Sequence, residues 1–395
     1  MRSLSFRILL IASSYGKGLT FNFTRLALAL KRRGNDVVVL SDKNEQYAEL
    51  TGELFKANIK RYVHDSIDGS SPADIVNGAL CIRKIIDKEG NFDIIHMGGI
   101  RHIVKAFLAT KRMNEKPKLI TTVCSFPRSK SGITSELYMS ISPIAYSLSD
   151  KCIALCQYTK TQLTKWHVKP SKVCVIPLFA PDLEWFDNVK ESRVPLKRYS
   201  LENINRPVIF YAARHVYIKG FQYFLKAAAE ILRRFDATFV IGGEGELTTS
   251  LKEQAKKLGI YQHTVFTGWI NNYHMPAILH KVADICVSTS LVEQLPSYIM
   301  ECMAAKKPVV ASAVGGVPEI VIDCLNGYLV PPYDYRKTAR RIMDLLSDPE
   351  KALKMGLAGR KMIEERLNIK SSVLKLAKVY EGSRSSCAQC STRHQ

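Results

Sequence analysis

A strand-length apolar run, a glycine turn and a helix-length stretch follow one another repeatedly along this chain, and that alternation leaves few folds open. Arg7 to Ile11 is too short to show a helical period. Gly16-Lys17-Gly18 follows, and then a predicted helix from Phe21 to Arg33 with Leu26, Leu28, Ala29 and Leu30 along one side. Gly34 is placed to cap it, and Val37 to Leu40 is the next apolar run. Similar runs recur at Phe92 to Met97, Leu119 to Val123, Lys151 to Ala154 and Val173 to Ile176. Continuous rather than alternating apolar runs are the mark of parallel strands buried on both faces. The pattern predicts a doubly wound α/β sheet, which binds ligands at the carboxyl ends of its strands.

The alternation lapses into a charged stretch between about Asp187 and Arg206, with Pro195 inside it and Pro207 just after. It then resumes with strands predicted at Val208 to Ala212, Thr238 to Ile241, Val265 to Thr267, Ile285 to Ser288 and Val309 to Ala311. A chain of 395 residues, at about 150 per domain, has room for two such sheets. The expected organisation is a first Rossmann-like domain over 1–190, a linker at 191–206 and a second Rossmann-like domain over 207–365. A helix over 366–385 is expected to pack back on the first domain, and 386–395 to form a tail. A ligand cleft between the two domains is the default site.

Composition narrows the function classes. With 46% hydrophobic and 24% charged residues the chain is an ordinary globular one, which excludes disordered and collagen-like readings. The apolar stretch Phe6 to Ala12 is interrupted by Arg7 and is too short for a secretion signal. No window approaches the ~20 apolar residues that span a bilayer. The ten cysteines lack a framework spacing, so they are read as reduced thiols of a cytoplasmic protein. Cys387 and Cys390 form a lone CxxC with His394 beyond, short of a second ligand pair for zinc. The formal charge of +21 calls for an anionic partner. Nucleic acid is not expected, because no RNA-binding signature or basic/aromatic stripe is present.

Three clusters point to chemistry. Arg214 and Lys219 follow the first strand of the second domain, just before Gly220 and a helix. Two cations there either neutralise a diphosphate or are solvated surface residues. Gly242-Gly243-Glu244-Gly245 ends the next strand and is either a site of close ligand approach or a tight turn. Glu293 and Glu301 lie in EQLPSYIME. Pro296 suits a helix's first turn, which puts Glu293 in the loop and Glu301 on the helix, at most ~12 Å apart. Carboxylates beside a helix N-terminus would take sugar hydroxyls and leave the N–H groups for phosphate, unless they are a solvated pair. Gly315-Gly316-Val317-Pro318-Glu319 is a further candidate turn.

Taken in order, these motifs resemble the nucleotide-binding half of the family-4 retaining glycosyltransferases, of GT-B fold. The resemblance rests on Arg214-x4-Lys219-Gly220, IGGEGE, FTGW, the EX7E motif EQLPSYIME, PVVASAVGGVPEIV, NGYLVPP and the tail from Asp348 to Arg360. The first half agrees more loosely, through the glycine loop, RRGNDVVVL, DIIHMGG and SDKCIALC. The resemblance implies that Arg214 and Lys219 hold the diphosphate of a nucleotide-sugar and that Glu301 bonds its ribose. Glu293 would lie by the donor sugar with the N–H groups near Leu295 and Ser297, and His96 by the reacting centre. Gly16, Gly18 and Gly243 would approach the phosphates closely, and Trp269 would lie near the base. It implies a UDP-sugar donor, with GDP-mannose second, a hydroxyl acceptor that is a glycan or lipid-linked group, front-face transfer, and no metal or cofactor. Departures are Gln294 where the family has glycine, Leu178-Phe179 for Asn-Gly, and GND at Gly34. Gln294 keeps open a protein that binds nucleotide-sugar without turning it over. An epimerase-like enzyme of the same fold is a separate alternative, against which the EX7E helix and the Arg214/Lys219 pair argue.

From Arg101 to Lys172 there are 13 basic residues against Glu115, Glu136 and Asp150. This stretch of the acceptor domain is expected either to rest on an anionic membrane surface, at ~1 kcal/mol per cation, or to be plain solvated surface.

Overall fold

The computed structural model describes residues 5–12, 17–43, 48–124, 142–189 and 193–388. The chain divides into two compact units, one of Met1–Phe179 with Ile369–Gln395, the other of Ala180–Asn368.

In the first unit seven strands form one sheet: β1 (Arg7–Ile11), β2 (Asp36–Ser41), β3 (Lys60–Val63), β4 (Ile94–Gly98), β5 (Lys118–Val123), β6 (Lys151–Ala154) and β7 (Val173–Val175). Their order is β3-β2-β1-β4-β5-β6-β7 and every pairing is parallel. Helices α1 (Lys17–Arg32), α2 (Ala48–Lys56), α3 (Pro72–Glu89), α4 (Ile100–Thr110) and α5 (Gln157–Lys165) make the crossovers. The apolar runs are buried as expected: Ile8 to Ile11 and Ile94 to Met97 are enclosed on both faces. Helix α1 begins a turn earlier than predicted. Strand β3 was not predicted, because KRYV has no apolar run; as the sheet's edge strand it buries none of its residues fully.

Several cations of the basic stretch are bound internally. Lys105 is buried with its ammonium inside three backbone carbonyls, Ser66 O at 2.7 Å, Ile67 O at 2.6 Å and Gly69 O at 2.8 Å. Burial lowers its pKa to about 8. Arg101 donates to Asp68 O, Lys118 faces Asp150, Lys151 donates to Ser171 O, and Lys172 donates to Ser147 O and Ser149 O. These five close loops of their own unit.

The second unit opens with α6 (Leu183–Val189) and holds six parallel strands: β8 (Val208–Ala212), β9 (Thr238–Gly242), β10 (Thr264–Gly268), β11 (Ile285–Ser288), β12 (Val309–Ser312) and β13 (Gly327–Val330). Their order is β10-β9-β8-β11-β12-β13. Its other helices are α7 (Phe221–Ile231), α8 (Thr248–Lys257), α9 (Met275–Lys281), α10 (Ser297–Ala304), α11 (Tyr335–Ser347) and α12 (Pro349–Glu365). The stretch read as a linker belongs to this unit. Tyr199 and Leu201 are buried in it, and the Tyr199 hydroxyl lies 2.7 Å from His274 Nδ1.

The last helix, α13 (Ile369–Ala388), groups with the first unit. Ser372 donates to Pro177 O at 2.9 Å, and the buried Tyr380 ring meets Phe6 edge-on.

Candidate active site

In the second unit the strand order reverses at the β8–β11 pair, the position at the sheet's carboxyl edge where open α/β sheets form a ligand crevice. Backbone bonds lock the surrounding loops together. After β8, the His215 N–H donates to Glu244 O, and the Leu247 N–H returns to His215 O. On the other side the Leu291 N–H donates to Ile218 O at 2.7 Å, and the Thr289 hydroxyl to Gly220 O. Two glycines make this possible. Gly220 has φ +67, and a Cβ there would sit 1.9 Å from Thr289 O. Gly315 has φ +58, and its Cβ would sit 1.8 Å from Glu293 O. Any side chain at either position forces the loop carrying Glu293 away.

Lys219 and Glu293 meet in this crevice. The Lys219 ammonium is 2.5 Å from Glu293 Oε1, and the Ser290 hydroxyl donates to the same oxygen at 2.7 Å. Below them the buried Tyr211 phenol donates to Lys219 O at 2.6 Å and lies 2.9 Å from Ser290 Oγ. The two hydroxyls have two protons for three contacts, so the Tyr211–Ser290 contact and the two outward bonds cannot all form at once. Burial raises the Tyr211 pKa, which keeps the phenol protonated. The arrangement holds Lys219 and Glu293 rigidly side by side.

Glu301 lies on α10, where the residues before it form the helix N-terminus. It is half-buried, and its carboxyl makes no hydrogen bond or ion pair with the described residues. Desolvation pushes its pKa up to about 7. The exposed Arg214 side chain likewise has no partner among the described residues. The crevice therefore presents a fixed ion pair, one unpartnered cation and one unpartnered carboxyl, with the first N–H groups of α10 between the two glutamates. Such a set can take an anion and a group rich in hydroxyls. Among the described residues no cluster of three or more metal-ligating side chains occurs.

Residues 195–362 match the family of glycosyl transferases group 1, and residues 18–180 match glycosyltransferase family 4. The chain belongs to these glycosyltransferases. It is 30% identical over 185 residues to an alpha-D-kanosaminyltransferase of Streptomyces kanamyceticus, 47% of each chain. It is 33% identical over 214 residues to a GDP-mannose-dependent phosphatidylinositol monomannoside mannosyltransferase of Mycolicibacterium smegmatis, 52% of this chain and 54% of the relative. The matched region thus spans about half the length of these curated relatives. The Anabaena protein HepE, solved with UDP and glucose, superposes with TM-score 0.78 at 17% identity, over 95% of this chain and all of that one. Both units accordingly have the Rossmann-like sheets of the GT-B glycosyltransferases.

The other expected site residues of this glycosyltransferase lie as follows. Leu295 is buried in the loop before α10, and Ser297 is the first residue of that helix. Trp269 is half-buried just after β10. Gly243 does not present its N–H to a ligand. It donates to Gly268 O at 2.8 Å, and a Cβ would meet Ala213 O at 2.0 Å, so this glycine serves loop packing. Gly16 lies outside the described residues, and Gly18 is in the first turn of α1.

His96 is not open to a ligand. It is wholly buried in β4 of the first unit, with Nδ1 2.6 Å from the Tyr380 hydroxyl and Nε2 2.7 Å from Thr122 Oγ1. Burial lowers its pKa to about 3, so the ring is neutral and links β4, β5 and α13. The expectation that it faces the reacting centre gives way to a structural role.

Sequence reasoning missed Tyr211 and Ser290. Tyr211 is hidden in an apolar strand run, whereas Ser290, three residues before Glu293 in the hydroxyl-rich STS, carried a legible signal. It also missed Arg360, which donates to both oxygens of Asp187 and to Ala304 O at the end of α10, fixing that helix from its C-terminus.

Proposed function

We propose that the chain transfers a sugar from a nucleoside-diphosphate sugar to a hydroxyl acceptor, with retention of configuration and without a metal. The carrying observation is the carboxyl edge of the second unit, where Lys219 is held by Glu293, and among the described residues neither Arg214 nor the Glu301 carboxyl has a partner. In this reading Arg214 and Lys219 hold the diphosphate and stabilise the charge that grows on it as the anomeric C–O bond breaks, an effect of several kcal/mol. The Glu301 carboxylate accepts hydrogen bonds from the ribose hydroxyls. Glu293 and the backbone before α10 hold the donor sugar. The acceptor oxygen attacks from the face the phosphate leaves, and its proton passes to the departing phosphate oxygen.

A UDP-sugar is the favoured donor and GDP-mannose the second. HepE is described with UDP, and the mycobacterial relative uses GDP-mannose. The acceptor is proposed to be a glycan or lipid-linked hydroxyl, met by the first unit on the cytoplasmic side. Of the basic stretch, Lys111, Arg112, Lys116, Lys165 and Lys169 are exposed among the described residues and can meet an anionic surface. No helix among the described residues is long and apolar enough to cross a membrane.

A panel of nucleotide-sugars should raise the melting temperature of the wild-type protein selectively for one base. Lys219→Ala and Glu301→Ala should each abolish that rise. An unchanged rise in both variants would place the nucleotide elsewhere.

A further inference from the structure

The first unit carries a second cationic cleft, away from the loops at its strand ends. It lies between edge strand β3 and helix α3 and encloses about 340 Å3, at the low end of the ~300–1,000 Å3 of small-molecule pockets. Strand β3 ends the sheet, and the outward stripe of α3 keeps exposed residues throughout. The stripe changes character along its length. Val76 and Leu80 are each 54% exposed, an unusual exposure for residues one turn apart on a single helix. The next two turns bring Lys84 and Lys88 onto the same line.

The cleft floor is apolar, formed by Ile85, the Leu80 side chain and the Tyr62 ring. The cations at its other end are available. Lys84 makes no hydrogen bond or ion pair with the described residues. Lys88 rests with its ammonium 5.4 Å from the centre of the Tyr62 ring. His64 adds a third donor: the Ser66 N–H points at its Nδ1, which leaves the proton of the neutral ring on Nε2. No carboxylate lines the cleft. The neighbouring Glu89 is already engaged by Lys60 and the Tyr62 hydroxyl, and Asp87 by Arg83.

We propose that this cleft binds a small amphiphilic anion, a phosphate monoester with a short apolar tail, with the phosphate between Lys84, Lys88 and His64 and the tail along Leu80 and Ile85. Two ammonium groups and an imidazole N–H match a phosphate's acceptor oxygens, and the apolar end, where Leu80 is exposed to water, matches the tail. The volume suits one such group. The proposal is independent of the nucleotide-sugar reading, because it involves none of the residues of the second unit.

Cys81 lies in the cleft wall, half-buried beside Lys84, and reports occupancy locally. Alkylation of Cys81 by N-ethylmaleimide, followed by mass spectrometry of its peptide, should slow about tenfold in saturating hexyl phosphate. Inorganic phosphate and hexanol, each with half of the chemistry, should protect at least about tenfold more weakly in concentration. The doubly substituted Lys84→Gln/Lys88→Gln protein, altered only at solvent-facing cations, should lose the protection while keeping the wild-type melting temperature. Equal protection by hexanol, protection that survives in that variant, or no protection in the wild type would each overturn the proposal. So would capture by phosphatidylglycerol vesicles through Lys84 and Lys88 without protection by hexyl phosphate, since that is surface attraction and not a pocket.

Discussion

Glu301 shows how one residue's environment both costs stability and prepares binding. Its carboxyl is desolvated and lacks an internal partner, so the folded protein holds the proton up to about pH 7, whereas its ordinary value is 4.5. A raised carboxyl pKa means the folded state binds the proton more tightly than the unfolded state. Stability is then complete below about 4.5 and is lost as pH rises through 7. Glu301→Gln should therefore raise the melting temperature of the unliganded protein at pH 8, and the gain should shrink to nothing below about pH 4.5. Wild type melting above the variant at pH 8 would show that the carboxylate has a stabilising partner. Glu293 is the opposite case, with Lys219 and Ser290 on one oxygen. Spacing alone placed the two glutamates correctly, in the loop and on the helix. It gave no warning that one would be paired and the other alone, because the cation that pairs Glu293, Lys219, lies in the loop after β8, some seventy residues upstream in sequence.

At the scale of elements, the site is a set of loops held by glycines against one another. Gly315 and Gly259 form a matched comparison, since both have positive φ, at +58 and +71. A Cβ at Gly259 meets nothing within 4 Å, whereas one at Gly315 would collide with Glu293 O. Gly259→Ala should cost only the left-handed strain, about 1–2 kcal/mol in denaturant unfolding. Gly315→Ala should cost about 3 kcal/mol or more and weaken nucleotide-sugar binding as well. Equal costs for the two would mean that the loop carrying Glu293 is not braced by the 315–316 turn. The sequence marked Gly315-Gly316 as a candidate ligand turn, and in the structure this turn supports the loop carrying Glu293, with the Gly316 N–H on Gln294 O. Most strands were legible because both faces are buried. Strands β3 and β13 were not: KRYV is an edge strand, and GYLV opens on a glycine.

At the scale of the whole molecule, two sheets with the same strand logic carry different burdens. The second unit's motifs are local and ordered, so its strands and the loop and helix that carry Glu293 and Glu301 were read from sequence, whereas Tyr211 and Ser290 beneath them were not. The first unit's polar residues were harder to read, because burial decides their roles. His96, expected by the reacting centre, and Lys105, within the basic stretch, are both engaged inside the first unit. The charge of +21 is likewise divided. Part of it ties loops, part lines the β3–α3 cleft, and Arg214 with Lys219 is the proposed diphosphate clamp. That clamp predicts a preference for two phosphates over one. The affinity ratio of UDP to UMP, and of GDP to GMP, measured by titration calorimetry on wild type and on Arg214→Ala/Lys219→Ala, tests this most directly. Wild type should favour the diphosphate by at least about a hundredfold for the accepted base, and the double variant should bring the ratio to near unity. A ratio unchanged in the variant would show that the diphosphate is held elsewhere and would contradict the assignment of this crevice.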